Sequence, residues 1–168
     1  MADRLAKPRL FAVKAQDLPL SGQAVLELMR EVLSRGKAFR FCARGWSMTP
    51  FIRDGDVITV GPLPPGMPGV GEVVAFVRPV DDRLVVHRIV SRKGSFVLIQ
   101  GDNGPDLADG FIPRQALLGR VTRVERSGHN VWLGLGFERY IIAWLSRTFL
   151  LIPLRNRLFT LYKPLIRR

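Results

Sequence analysis

At 168 residues the chain has room for one domain and an appendage, and 47% hydrophobic residues are enough to fill a core. A single cysteine, Cys42, excludes an intramolecular disulfide framework and a thiolate metal cluster. A net charge of +12 and a pI near 11.3 call for an anionic partner, either phospholipid or nucleic acid.

Charges interrupt the first 17 residues throughout, so they lack the apolar core of a signal peptide. Residues 1–19 read as an irregular arm. Residues 21–35 read as an amphipathic helix with Val25, Leu28, Met29 and Val32 on one stripe and Gly36 at its end. A single helix of this length is too little for a helix-turn-helix domain. From Ala38 the period changes to two, with Phe39, Phe41 and Ala43 alternating with Arg40, Cys42 and Arg44. After a turn at Asp54-Gly55-Asp56, residues 57–60 form a second strand. Residues 61–71 hold four prolines and four glycines and read as a loop. Residues 72–77, 84–90, 96–100 and 118–124 complete the strand set, with hairpins between them. Residues 38–126 are thus predicted to form a compact, mostly antiparallel β domain, preceded by a unit at 1–37 and followed by a basic tail at 127–168.

The tail carries seven Lys or Arg against one acid, Glu138, and so holds half of the net charge. Phe137, Tyr140, Ile141, Trp144, Leu145 and Thr148 follow helical spacing, and Pro153 should end or kink that helix. Glu138, Arg139 and Arg147 argue against a spanning helix, because each costs roughly 2.5–3.5 kcal/mol near the centre of a bilayer. Two readings fit the pattern: a helix at an anionic membrane surface, or a helix packed on the β domain. Nucleic acid ranks below both, since large apolar residues interleave the basic ones. The expected location is cytoplasmic or peripheral on a membrane.

Three segments carry candidate chemistry. The first is Gly45-Trp46-Ser47-Met48-Thr49-Pro50, where a serine in a tight turn after a strand can present its hydroxyl to a substrate. Gly45 permits a sharp turn and close approach, and Trp46, Met48 and Pro50 would frame the bound peptide. The second is His87, in a strand apolar on both faces. A structural histidine is one reading; a general base is the other, because imidazole titrates near neutrality with an unperturbed pKa of about 6.5. The third is the polar run of residues 100–109, where Asp102, Asp106 or Asp109 could orient the imidazole or simply form Asx turns. His129 sits in a predicted linker turn, and no metal-ligand pair or cofactor-binding loop is recognisable.

Ser-Met-x-Pro, Gly-Asp, a Gly-acid-Val-Val strand, His-Arg and Gly-Asp-Asn, in that order, resemble the type I signal peptidase superfamily. The likeness covers residues 38–126 and is strongest to the branch, typified by endoplasmic reticulum and sporulation enzymes, that uses histidine as base. The housekeeping enzymes and the related self-cleaving SOS repressors use lysine there. The resemblance implies a mainly β, small coiled antiparallel domain that binds substrate as an added strand, here with an N-terminal helix and a C-terminal amphipathic helical tail. It implies a serine endopeptidase with Ser47 as nucleophile, His87 as base and Asp102 or Asp109 as supporting acid. Asp102 is favoured because it follows a strand directly and matches Gly-Asp-Asn. The chain departs from the family pattern in four ways: Gly45 stands where a serine is common, the bulky Trp46 precedes Ser47, the membrane anchor expected of signal peptidases is not read in the sequence, and the later aspartate is displaced by one residue, from Ala108 to Asp109. A self-cleaving regulator and a non-catalytic membrane-surface module are the alternatives; neither Ala-Gly nor Cys-Gly, the dipeptides such repressors usually cut, occurs in the chain.

Overall fold

The computed structural model describes residues 22–104 and 108–148. The arm at 1–19, the candidate Asp106 and the break expected at Pro153 lie outside the described residues. The first element is α1 (Gly22–Ser34), which buries Leu26, Met29 and Leu33. Val25, Leu28 and Val32 flank that line and are partly buried, so the stripe is wider than, and centred one residue beyond, the one read from sequence. Gly36, at φ +69°, closes the helix. Its amide reaches the Leu33 carbonyl at 3.0 Å and the Lys37 amide reaches the Val32 carbonyl at 3.1 Å, the paired bonds of a Schellman cap.

Eight strands follow: β1 (Phe39–Cys42), β2 (Val57–Pro62), β3 (Val73–Arg78), β4 (Arg83–Lys93), β5 (Phe96–Gln100), β6 (Ala108–Pro113), β7 (Leu117–Arg126) and β8 (His129–Asn130). All their pairings are antiparallel. The order is β1-β2-β7-β3-β4-β5-β6, with β8 added to β7, and the sheet curls into a half-barrel. The protein is therefore mainly β, with one helix before the sheet and one after it. Two strands were not foreseen. β6 contains Asp109, Gly110 and Pro113, poor strand formers that hide its alternation. β8 is two residues long, and it makes exposed His129 part of a hairpin.

Alternation divides the core in two. Val73 and Ala75 of β3 pack with Met29, Leu33, Met48, Ile58 and Val124 on the α1 side. Val74 and Phe76 pack with Ile89, Val97, Ile99 and Ile112 on the other. Gly119 of β7 is required where it stands, since a Cβ there would lie 2.5 Å from the Gly61 carbonyl oxygen.

The last element, α2 (Arg139–Arg147), lies against β4. Ile142, Ala143 and Ser146 face inward and are buried. The Gln100 side-chain amide donates to the Ser146 carbonyl at 3.1 Å, and Ser146 Oγ donates to Asp102 at 3.1 Å. This part of the basic segment is thus fixed to the end of β5. No helix among the described residues is long and apolar enough to cross a membrane.

Candidate active site

Ser47 lies in the connection from β1 to β2, and that connection is pinned at several points. Gly45, at φ +95°, makes the sharp turn out of the strand, and its amide donates to Asp54 Oδ1 at 2.9 Å. Met48 is buried in the α1-side core, and its carbonyl accepts the Phe51 and Ile52 amides at 3.0 Å each. The Ser47 carbonyl accepts the Asn103 amide at 2.8 Å, which docks the loop on the segment after β5. Within the described residues, Ser47 Oγ makes no hydrogen bond, and the Ser47 and Met48 amides donate to no group.

The far end of the loop is held by Asp56, which is almost wholly buried. Arg126 donates to its two oxygens at 2.8 and 2.7 Å, and the Arg53 amide adds a bond at 2.8 Å. Burial works to raise the Asp56 pKa, but the Arg126 hydrogen bonds, the Arg53 amide and the nearby positive charges outweigh it. The carboxyl is held below its ordinary value.

His87 stands on β4, opposite Val74, with its ring 6.3 Å from that of Phe76. Its Nδ1 meets Asp109 Oδ2 at 2.5 Å, and both side chains are nearly inaccessible to solvent. Arg78 lies 3.8 Å from the other Asp109 oxygen. The strand register explains how Asp109 reaches the ring. Ile99 pairs with Gly110 and Gln100 with Ala108, so Asp109 is an extra, unpaired residue: a β-bulge. Bulges redirect a side chain out of the regular pleat. Gly110, at φ +81°, supplies the backbone conformation beside it. The bulge thus aims the Asp109 carboxylate at the His87 ring.

Asp102 is not at His87, which corrects the preference drawn from Gly-Asp-Asn. It is buried against Arg88, the next residue along β4, whose side chain projects to the opposite face from His87. Arg88 Nε donates at 2.9 and 3.1 Å and one terminal nitrogen at 2.8 Å. The other terminal nitrogen donates to the Gly71 and Gly134 carbonyls at 2.8 Å each, and the guanidinium lies 5.4 Å from the centre of the Phe51 ring. A fully buried guanidinium requires a carboxylate, and Asp102 is the one it has. This Arg88–Asp102–Ser146 cluster escaped the sequence reading. The signal available for it was an arginine in an apolar strand, which needs an acid partner somewhere in the fold.

Ser47, Gly45 and Met48 line a cavity of about 940 Å³ with Phe41, Leu84 and Val86. His87 and Asp109 line a second, of about 500 Å³, with Arg78 and Phe111. The cavities part at consecutive residues of β4, Val86 and His87, and no hydrogen bond among the described residues joins Ser47 Oγ to the imidazole. Trp46 is exposed and, like Pro50, lines neither cavity. No cluster of three or more potential metal ligands occurs among the described residues.

The connection that carries Ser47 thus borders Leu84 and Val86 of β4, the strand that carries His87. The family model described as Peptidase S24-like matches residues 12–122, well over half of the chain, and the chain belongs to that family. The match supports the wider superfamily that includes the signal peptidases and the self-cleaving repressors. No curated protein matches it.

Proposed function

We propose that this chain is a serine endopeptidase in which Ser47 attacks, His87 is the general base and Asp109 orients the imidazole. The observation that carries the reading is the buried contact of His87 Nδ1 with Asp109. An ionised carboxylate there accepts the Nδ1–H bond and leaves the lone pair on Nε2, the nitrogen a serine hydroxyl needs. Among the described residues nothing competes for Nε2 or for Ser47 Oγ. The reaction requires Ser47 Oγ and His87 Nε2 to come within hydrogen-bond reach, whereas the two side chains here line separate cavities that part between Val86 and His87 of β4.

On this reading Ser47 Oγ bonds to the scissile carbonyl carbon and its proton passes to Nε2. The oxyanion faces the unengaged Ser47 and Met48 amides, which take over what a serine at position 45 does in many relatives. The proton then passes to the leaving amine as the peptide bond breaks, and water releases the acyl group by the same steps in reverse. Among the described residues β1 pairs only with β2, and its other edge is where an extended substrate would be laid down as an added strand. The Phe41, Leu84 and Val86 wall of the adjoining cavity suits an apolar side chain, and Asp81, Asp82 and Arg83 add charge to its lining. Histidine at 87 aligns the chain with the histidine branch of the type I signal peptidases.

A second reading is cleavage of the chain by itself, favoured by the reach of the family match to residue 12, ahead of α1. Incubation of the purified chain with a peptide library, read by mass spectrometry, tests both. The endopeptidase reading predicts cleavage of added peptides by the parent and none by Ser47→Ala. Self-cleavage predicts a shortened chain, formed at a rate independent of protein concentration. Equal cleavage by parent and Ser47→Ala would overturn both readings.

A further inference from the structure

α2 is apolar on two sides. Its inner side, Ile142 and Ala143, is covered by the sheet. Its outer side carries Tyr140, Ile141 and Trp144, and the turn before it carries Trp132, Leu133 and Phe137, all exposed. Phe137 is 93% exposed, Trp132 76% and Trp144 59%. Isolated exposed apolar residues are ordinary, but six within 13 positions are not, and such concentrations mark contact surfaces.

We propose that this surface docks the protein on an anionic lipid bilayer, with Trp132, Phe137 and Trp144 entering the headgroup boundary. The chemistry selects lipid. Trp and Tyr are the side chains that favour a membrane–water interface, having an apolar body and a polar edge. The charge is complementary as well: residues 127–168 hold seven Lys or Arg and one acid. That acid, Glu138, is turned onto the Gly134 and Gly136 amides at 2.7 and 2.9 Å, so it offers little repulsion to an anionic surface. Arg147, at the end of α2, is exposed. Apolar insertion and electrostatic attraction act together in such helices. Because Ser146 on the inner side of α2 bonds Asp102, docking also fixes the orientation of β4 and β5 relative to the bilayer. The inference stands apart from the peptidase reading and survives if that reading fails.

The chain has three tryptophans, two of them in this surface. In the full chain carrying Trp46→Phe, emission reports on Trp132 and Trp144 alone. Vesicles of phosphatidylcholine with phosphatidylglycerol should shift that emission to the blue, and brominated acyl chains should quench it. Phosphatidylcholine alone should bind more weakly, and added salt should weaken the mixed-vesicle binding. Adding Phe137→Ser and Ile141→Ser, both at exposed positions, should lower the affinity about tenfold or more. The thermal melt should stay near that of the Trp46→Phe chain. Unchanged affinity in this variant, or binding without an emission shift, would overturn the proposal. Absence of vesicle binding would also overturn it, and self-association of the parent that the variant abolishes would assign the surface to a second copy of the chain instead.

Discussion

Asparagine in place of Asp109 keeps the size of the side chain and changes what it offers to His87. On the proposed reading the carboxylate accepts a hydrogen bond from Nδ1–H across a 2.5 Å contact almost closed to water. An amide that turns its NH₂ to Nδ1 makes that nitrogen the acceptor and moves the ring proton to Nε2. The imidazole then cannot take a proton from Ser47, and in serine peptidases generally a change of this kind lowers kcat by about 10⁴. At about 1.36 kcal/mol per tenfold, that is roughly 5.5 kcal/mol of transition-state stabilisation. Folding should be little affected, because an Asn at 109 still fills the bulge. Asp102→Asn should behave in the opposite way. It leaves Arg88 fully buried with a neutral partner, and breaking such a pair costs roughly 3–5 kcal/mol of stability. In a domain of this size that is on the order of 6–20 °C in Tm. The assay is kcat on the best peptide substrate beside a thermal melt for each variant. A near-normal kcat in Asp109→Asn, or a large loss of kcat with an unchanged melt in Asp102→Asn, would refute the reasoning.

The Asp56 carboxyl is held below its ordinary pKa in the folded chain, so its contribution to stability is present above the unfolded value near 3.8 and fades as pH falls through the lower folded value. Melts across the acid range should show a steeper loss below about pH 4 in the parent than in Asp56→Asn; parallel curves would remove Asp56 from the account. Gly119→Ala should destabilise by about 1–3 kcal/mol, because the new methyl meets a backbone oxygen that cannot swing aside. A denaturant midpoint equal to the parent's would contradict that. Met29→Ala removes a fully buried side chain from the α1-side core and should cost roughly 2–5 kcal/mol in the same titration.

Elements with a strong period were legible in the sequence. α1 showed its 3–4 spacing, and β1 to β5 and β7 showed alternation or β-branched runs between glycine and proline breaks. β6 was not legible, because Asp109 and Gly110 break its pattern, and the same two residues build the bulge that places the carboxylate. The choice between Asp102 and Asp109 turned on that bulge. Local sequence favoured Asp102, which follows a strand directly; the fold commits Asp102 to Arg88 on the opposite face of β4. A pairing across 22 positions, such as His87 with Asp109, depends on strand register, which one chain's residue pattern does not encode on its own. The dual nature of the tail helix was half legible. Its apolar spacing was plain, but the inner side became identifiable only once Ser146 and Gln100 were seen bonded.

The central claim, that Ser47 is a nucleophile activated by His87, is tested most directly by covalent labelling. The full chain would be treated with a biotinylated fluorophosphonate, which reacts with serines made nucleophilic by a neighbouring base, and the modified peptide identified by mass spectrometry. The account predicts a single adduct on Ser47, absent from Ser47→Ala and slowed by orders of magnitude in His87→Ala. Peptide cleavage by a chain that takes no label on Ser47, or labelling of Ser47 at the parent rate in His87→Ala, would contradict it.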